Sequence, residues 1–409
     1  MTPQRPYALV VTSYDPGDGG GAPLVTHGRM QSLYRLGYEV GLLRDSKEGV
    51  NARELAQLCS VVERPPWGGQ RLAHVLWNLR RLLVAGTLPR WTTGTWLALK
   101  REVDRRRPVL VLLDGIRTAE YGVLLRQHGF GGRVLLNEHN VEYDLIDRQR
   151  VHTKRLGKRL ELRVRSWRLR KVESRLSQYA DACLALSTND RDHLARLNPG
   201  FHCELVPPAV DLARFQPADH PGASPEVLFI GSCHWPPNLD GLEWFTRDIW
   251  PRIRAGIPDA RLTVVGRGPP DWLAQVEGAR AEGYVPDERP YYARARVVIV
   301  PLRFGSGVRI KILNALAMAR PVVSTSLGAE GIAVVSGQSI ELADSPESFA
   351  DRTLALLKTP AAAAAIGAAG HAVCQAWYAP EAVDRRLRGV IAGEAAPSLP
   401  ATASPSSRS

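Results

Sequence analysis

The sequence predicts an α/β protein made of two doubly wound, parallel-sheet halves. Apolar runs such as YALVVTSY and PVLVLLDG read as buried strands and alternate with helical periodicity, the pattern of a parallel sheet covered on both faces. That alternation stops near residue 205, in the proline-rich stretch ELVPPAVDLARFQPADHPGASP, and then restarts. The chain has 409 residues, more than one domain of about 100–200 residues.

In the first half, YALVVTSY is a strand followed by the glycine-rich DPGDGGGAP and a helix over residues 24–36. YEVGLLRD is the next strand, and a long helical region leads to PVLVLLDG. A helix over 118–128, the strand RVLLNEHN, a basic helix over 148–176 and the strand ACLALS complete this half. After the proline-rich hinge, EVLFIGS, RLTVVGRG, ARAEGYV, RVVIVP and PVVST are strands with helices between them. AAAAAIGAAG reads as a helix of low complexity, and the final APSLPATASPSSRS as a disordered tail. The expected domains are therefore 1–206, 207–376, a helix at 377–395 and a tail at 396–409. In doubly wound sheets ligands lie beyond the carboxyl ends of the strands, here expected between the halves.

Composition narrows the function classes. No run of about 18 apolar residues predicts a membrane span, and the N-terminal residues lack the basic lead and apolar core of a signal peptide. Five scattered cysteines (Cys59, Cys183, Cys203, Cys233, Cys374) without CxxC spacing predict free thiols, a reducing cytoplasm and no zinc site. The net charge of +12 is concentrated in residues 148–176, where twelve Lys/Arg face only Glu161 and Glu173. Leu156, Leu160, Val164, Trp167 and Leu176 fall near helical spacing there, so the segment reads as one basic amphipathic helix. It reads either as a solvated arginine-rich face or as a surface attracted to an anionic membrane or a phosphorylated acceptor, the second placing the protein at the inner membrane face; no nucleic-acid partner is expected.

The stretch FGSGVRIKILNALAMARPVV, residues 304–323, carries the clearest chemistry. Gly305 and Gly307 let the backbone approach a ligand, and the amides of a helix beginning near Val308 favour an anion. Arg309 and Lys311 add positive charge at that end. Gly307, Lys311 and Asn314, spaced i, i+4, i+7, would share one helix face.

With LFIGSCHWPPNLDGLEWFTRDIWPRI, RLTVVGRGPP and EGYVPDERPYYARARVVIVPLRFGSG around it, this loop resembles the C-terminal half of family 4 glycosyltransferases of the GT-B fold, over about residues 226–332. LNEHNVEYDL and VPPAVDLARF resemble that family's N-domain histidine strand and its hinge. The resemblance implies a retaining transferase with two Rossmann-like domains facing a cleft, moving a sugar from a UDP-, GDP- or similar nucleotide-sugar to an acceptor (a glycan, a lipid-linked or a small molecule). No metal or other cofactor is expected. By the same resemblance Gly305, Ser306 and Gly307 meet the diphosphate, Arg309 and Lys311 neutralise it, Tyr284 and Val285 flank the base, and His139 meets the donor sugar.

One departure concerns Asn314, where the family has a glutamate that accepts both ribose hydroxyls. Asparagine should cost on the order of 1–2 kcal/mol of nucleotide affinity, and restoring glutamate should tighten binding. The alternative this raises is a non-catalytic GT-B protein kept for binding or as partner of an active transferase. Glu330, in LGAEGI, is a candidate replacement acid. Gly19, Gly20, Gly21 and Asp114, in loops after the first and third expected strands, are candidates for the acceptor side, together with Arg117. The same glycine loop weakly matches G-x-G-x-x-A with Asp45 downstream, which nothing in the second half supports as dinucleotide binding. Asp190-x-Asp192 reads as a helix cap and not a metal site.

Overall fold

The structure is a computed structural model, and it describes residues 5–13, 16, 21–44, 58–62, 93–151, 153, 155–217, 224–305 and 307–394. The chain separates into two units. Among the described residues, one holds those up to Pro208 together with 383–394, and the other holds those of Ala209–Ala382.

Among the described residues the first unit contains seven parallel strands: β1 (Tyr7–Thr12), β2 (Glu39–Arg44), β3 (Ser60–Val62), β4 (Leu110–Asp114), β5 (Arg133–Glu138), β6 (Ala182–Ala185) and β7 (Cys203–Leu205). Their spatial order is β3-β2-β1-β4-β5-β6-β7, so the winding reverses between β1 and β4. The second contains six: β8 (Glu226–Ile230), β9 (Arg261–Val265), β10 (Ala279–Gly283), β11 (Val297–Val300), β12 (Val322–Ser324) and β13 (Glu341–Leu342). Their order, β10-β9-β8-β11-β12-β13, repeats the design, with its reversal between β8 and β11.

The strand period of two explains the continuous apolar runs. Leu228, Val298 and Val300 enter one core of the second unit, while Val227, Phe229, Val297 and Ile299 enter the other. A strand packed on both faces needs apolar residues at every position.

Several elements differ from the sequence expectation. The first helix runs Gly21–Arg35, three residues earlier than expected. Pro23 is tolerated there because the first-turn amides have no partner within the helix anyway. The basic segment 148–176 is not one helix: Glu142–Val151 ends inside it, and Leu156–Glu173 follows after a break. The apolar set picked out there also does not face a core. Leu156, Leu160 and Trp167 are 79%, 65% and 55% exposed, and Val164 is exposed too, whereas Leu162, Ser166 and Val172 point inward. Leu176, beyond the helix, is buried.

The final helix, Pro380–Ala392, joins the first unit from Val383 onward. Arg35 Nε meets Asp384 Oδ2 at 2.7 Å, and Arg133 Nη2 donates to the carbonyl of Val390 at 3.0 Å. All five cysteines are free and buried. Among the described residues no single helix is long and apolar enough to cross a membrane. The expected tail and Asp45 lie outside the described residues.

Candidate functional site

At the reversal in the second unit, the loop after β8 and the loop after β11 leave neighbouring strands at their carboxyl ends. Gly231 begins the first of these loops. A methyl group there would meet Lys311 Nζ and Asn238 Nδ2, so the glycine leaves the space that these two side-chain ends occupy. Gly305 (φ 121°) and Gly307 (φ 84°) shape the second loop in conformations that L side chains rarely adopt. Ser306, between them, lies outside the described residues.

The helix after that loop is Ile310–Ala317, with Arg309 as its N-cap. Gly307 therefore precedes the helix, and the expected i, i+4, i+7 face reduces to Lys311 and Asn314, one turn apart. Arg309 is buried and donates through Nη1 to the carbonyl of Gly307, bracing the loop. Its guanidinium also sits over the Trp235 ring, 5.9 Å from the centroid. Lys311 Nζ donates to Asn238 Oδ1 at 2.8 Å. Burial, and then Arg309 beside it, push Lys311 down to about 7. Two cations and a glycine-shaped loop at one helix start form a site prepared for an anion.

Asn314 is buried, and its amide Nδ2 donates to Glu288 Oε1 at 2.8 Å. A carboxylate thus does stand beside position 314, supplied from the start of the helix Arg289–Arg294. Burial raises Glu288 above the usual glutamate range, and the hydrogen bond from Asn314 opposes that. Tyr284, just past β10, is 62% exposed with Arg267 4.6 Å from its ring centroid. Val285 packs against the core. Glu330 lies in the turns after β12.

The first unit has its own polar centre at the β1/β4 reversal. Asp114, last residue of β4, is fully buried and accepts from Thr12 Oγ1 (2.9 Å), Thr26 Oγ1 (2.6 Å), Asn137 Nδ2 (2.8 Å) and His139 Nε2 (3.0 Å). Burial alone would raise this carboxyl. His139 and the hydrogen bonds from Thr26 and Asn137 more than offset that and hold it below the ordinary aspartate value. This corrects the acceptor-side expectation for Asp114: all its acceptor capacity is spent inside the protein, so it orients His139. Arg29 extends the network, with Nε donating to Asn137 Oδ1 (3.0 Å), Nη1 to the Pro207 carbonyl (3.0 Å) and Nη2 to the carbonyl of Val206.

His139 opens onto a small pocket lined also by Ser13, Gly115, Arg117, Glu138 and Glu142. Glu138 is buried there, and burial together with Glu173 and Glu142 raises it well above the glutamate range. Glu173 accepts the backbone N–H groups of Glu142 (2.6 Å) and Tyr143 (3.0 Å), capping the helix Glu142–Val151. Gly21 begins the first helix and so lies at its N-terminus, while Gly19 and Gly20 lie outside the described residues. Asp190 sits in the first turn of the helix Thr188–Leu197, and Ser187 is the cap, accepting from the Asp190 amide at 3.0 Å.

Glu288, Asn238, Trp235, Gly231 and Glu138 were not identified from the sequence. Gly231, in FIGS directly after an apolar strand, carried the one local signal that could have found it.

Residues 224–359 match the family described as Glycosyl transferases group 1. An uncharacterised 44.6 kDa protein in the cps region of Klebsiella pneumoniae is 30% identical over 135 residues, covering 30% of this chain. The match spans 35% of that protein's length. Among solved structures, the chain is similar to sucrose-phosphate synthase from Thermosynechococcus elongatus, with TM-score 0.70, 19% identity, and 95% and 99% of the two chains covered. It is similar to Anabaena HepE in complex with UDP-glucose, with TM-score 0.65, 12% identity, and 95% and 100% covered. A glycosyltransferase from Rickettsia africae gives TM-score 0.66, 13% identity, and 95% and 98% covered. At these identities the structures establish the fold, two parallel-sheet Rossmann-like domains, and with the family match over residues 224–359 they support a glycosyltransferase of the GT-B fold.

Proposed function

We propose that this protein moves a sugar from a nucleotide-diphosphate sugar to a hydroxyl acceptor with retention of configuration, in the manner of family 4. The observation that carries the reading is the joining of Gly305, Gly307, Arg309 and Lys311 at the carboxyl ends of β8 and β11. In the reaction the largest new charge appears on the departing diphosphate. Lys311 lies near neutrality before binding and can take that charge as a full ammonium, while Arg309 holds the loop and adds a permanent positive charge. His139, oriented by Asp114, contacts the donor sugar. Tyr284 and Val285 flank the base. HepE has been crystallised with UDP-glucose, which favours a uridine donor. The reason for a non-catalytic reading was a missing carboxylate at 314, and Glu288 removes it.

The helix Leu156–Glu173 supports an anionic lipid surface as partner. Its exposed Leu156, Leu160, Val164 and Trp167 stand among Lys158, Arg159, Arg163, Arg165 and Arg168, a combination suited to the bilayer interface. A lipid-linked or polyanionic acceptor fits that placement.

The deciding experiment is calorimetric titration with UDP, GDP, ADP and CMP. It is followed by turnover with sugar donors of the nucleotide that binds, and by reading the product's anomeric configuration by NMR. Selective binding of one diphosphate and a retained anomer are expected. No heat with any nucleotide would remove the donor site, and an inverted product would remove retention.

A further inference from the structure

Lys311 and Asn314 lie one turn apart on the helix Ile310–Ala317, so their Cα atoms are offset by roughly 4.5 Å along the axis. The start of that helix is cationic. One turn further on, Asn314 commits its amide nitrogen to Glu288 Oε1 at 2.8 Å. Among the described residues Asn314 is the one found donating to the Glu288 carboxylate, and a carboxylate offers about four acceptor positions. Glu288 itself is half-buried. The result is a site of two characters: cations and glycines for phosphate, then an anchored carboxylate that only accepts hydrogen bonds. A group with two adjacent hydroxyl donors suits such a carboxylate, because each oxygen can take one O–H.

We propose that Glu288, held in place by Asn314, binds the two ribose hydroxyls of the donor nucleotide. This inference rests on the nucleotide-sugar reading above. It assigns to a residue 26 positions upstream the role that the family resemblance gives to a glutamate at 314, and it gives Asn314 a purpose. A glutamate at 314 would bring a second carboxylate against Glu288, where like charges repel. The asparagine is the matching partner of a displaced acid. Glutamate at 314 should therefore weaken nucleotide binding while Glu288 is present, opposite to the expectation from sequence.

The test is calorimetric titration of the full chain with UDP and 2′,3′-dideoxy-UDP, or the GDP or ADP pair if one of those is the nucleotide that binds. Wild type, Glu288→Gln, Asn314→Glu and the double variant are compared, with thermal melts showing that each folds. Wild type should prefer the ribonucleotide about tenfold. Glu288→Gln should lose most of that preference and leave the dideoxy affinity within about twofold. Asn314→Glu should bind more weakly than wild type, and adding Glu288→Gln should recover binding, because an acid is restored on the helix and its repelling neighbour removed. If Glu288→Gln binds both nucleotides as wild type does, or Asn314→Glu alone tightens binding, the assignment of Glu288 is wrong and the donor site stands. If wild type binds no nucleotide, the donor reading itself has failed, which is a separate result.

Discussion

His139 Nε2 lies 3.0 Å from Asp114 Oδ1, with the aspartate sealed from solvent and the histidine nearly so. An ionised carboxylate can only accept, so this contact places a proton on Nε2 and sets the ring's orientation. Asp114 is a positioning residue for His139. Asp114→Asn should lower kcat by about 10–100-fold, by analogy with the loss of a carboxylate that orients a metal-bound histidine, with the KM for donor changed by less than about threefold. A steady-state split of kcat against KM checks this. Loss of donor affinity without loss of kcat would contradict it.

Lys311 supplies a pH dependence. Its free value of about 7 lies below the ordinary lysine value because burial disfavours the ammonium. A bound diphosphate stabilises the charged form, so the complex titrates higher than the free protein and binding takes up protons between the two values. Diphosphate affinity should therefore fall as pH rises through 7 toward 9, by about tenfold or more. Calorimetry in buffers of different ionisation enthalpy would show the proton uptake near pH 7.5, and Lys311→Met should abolish both the uptake and the slope.

The exposed stripe on Leu156–Glu173 predicts lipid binding. Burying a leucine-sized side chain contributes about 1.5–3 kcal/mol, and each Lys or Arg near an anionic surface about 1 kcal/mol. Wild type should sediment with phosphatidylglycerol-containing vesicles at low salt and weakly with neutral ones. Leu160→Ser/Trp167→Ser should reduce that binding at least tenfold while leaving the melting temperature unchanged, because both side chains are exposed. Equal sedimentation with neutral and anionic vesicles would end the membrane reading.

The central strands were legible in the sequence because residues buried on both faces leave an unbroken apolar run. β1, β4, β8 and β11 all appear at the expected places, and with them the loops that leave their carboxyl ends. The edge and terminal strands β3, β7 and β13 were not legible. Each spans three residues or fewer, too short to show a period, and each exists because a neighbouring strand offers it hydrogen bonds. The direction of the basic helix's apolar stripe was also beyond the sequence. Spacing shows that Leu156, Leu160 and Trp167 share a face; packing decides which face turns inward.

By itself the sequence determined the architecture of two wound sheets, the glycine-shaped loop at 305–307 and the cations Arg309 and Lys311 at its end. These depend on local periodicity, on backbone angles that favour glycine, and on charge adjacent in the chain. Tertiary structure alone decided that Asp114 is spent on His139 and that the acid beside Asn314 is Glu288. Those pairs are 25 and 26 residues apart. Their meeting follows from where the strands and helices pack, since a hydrogen bond requires about 3 Å in space and imposes no spacing along the chain.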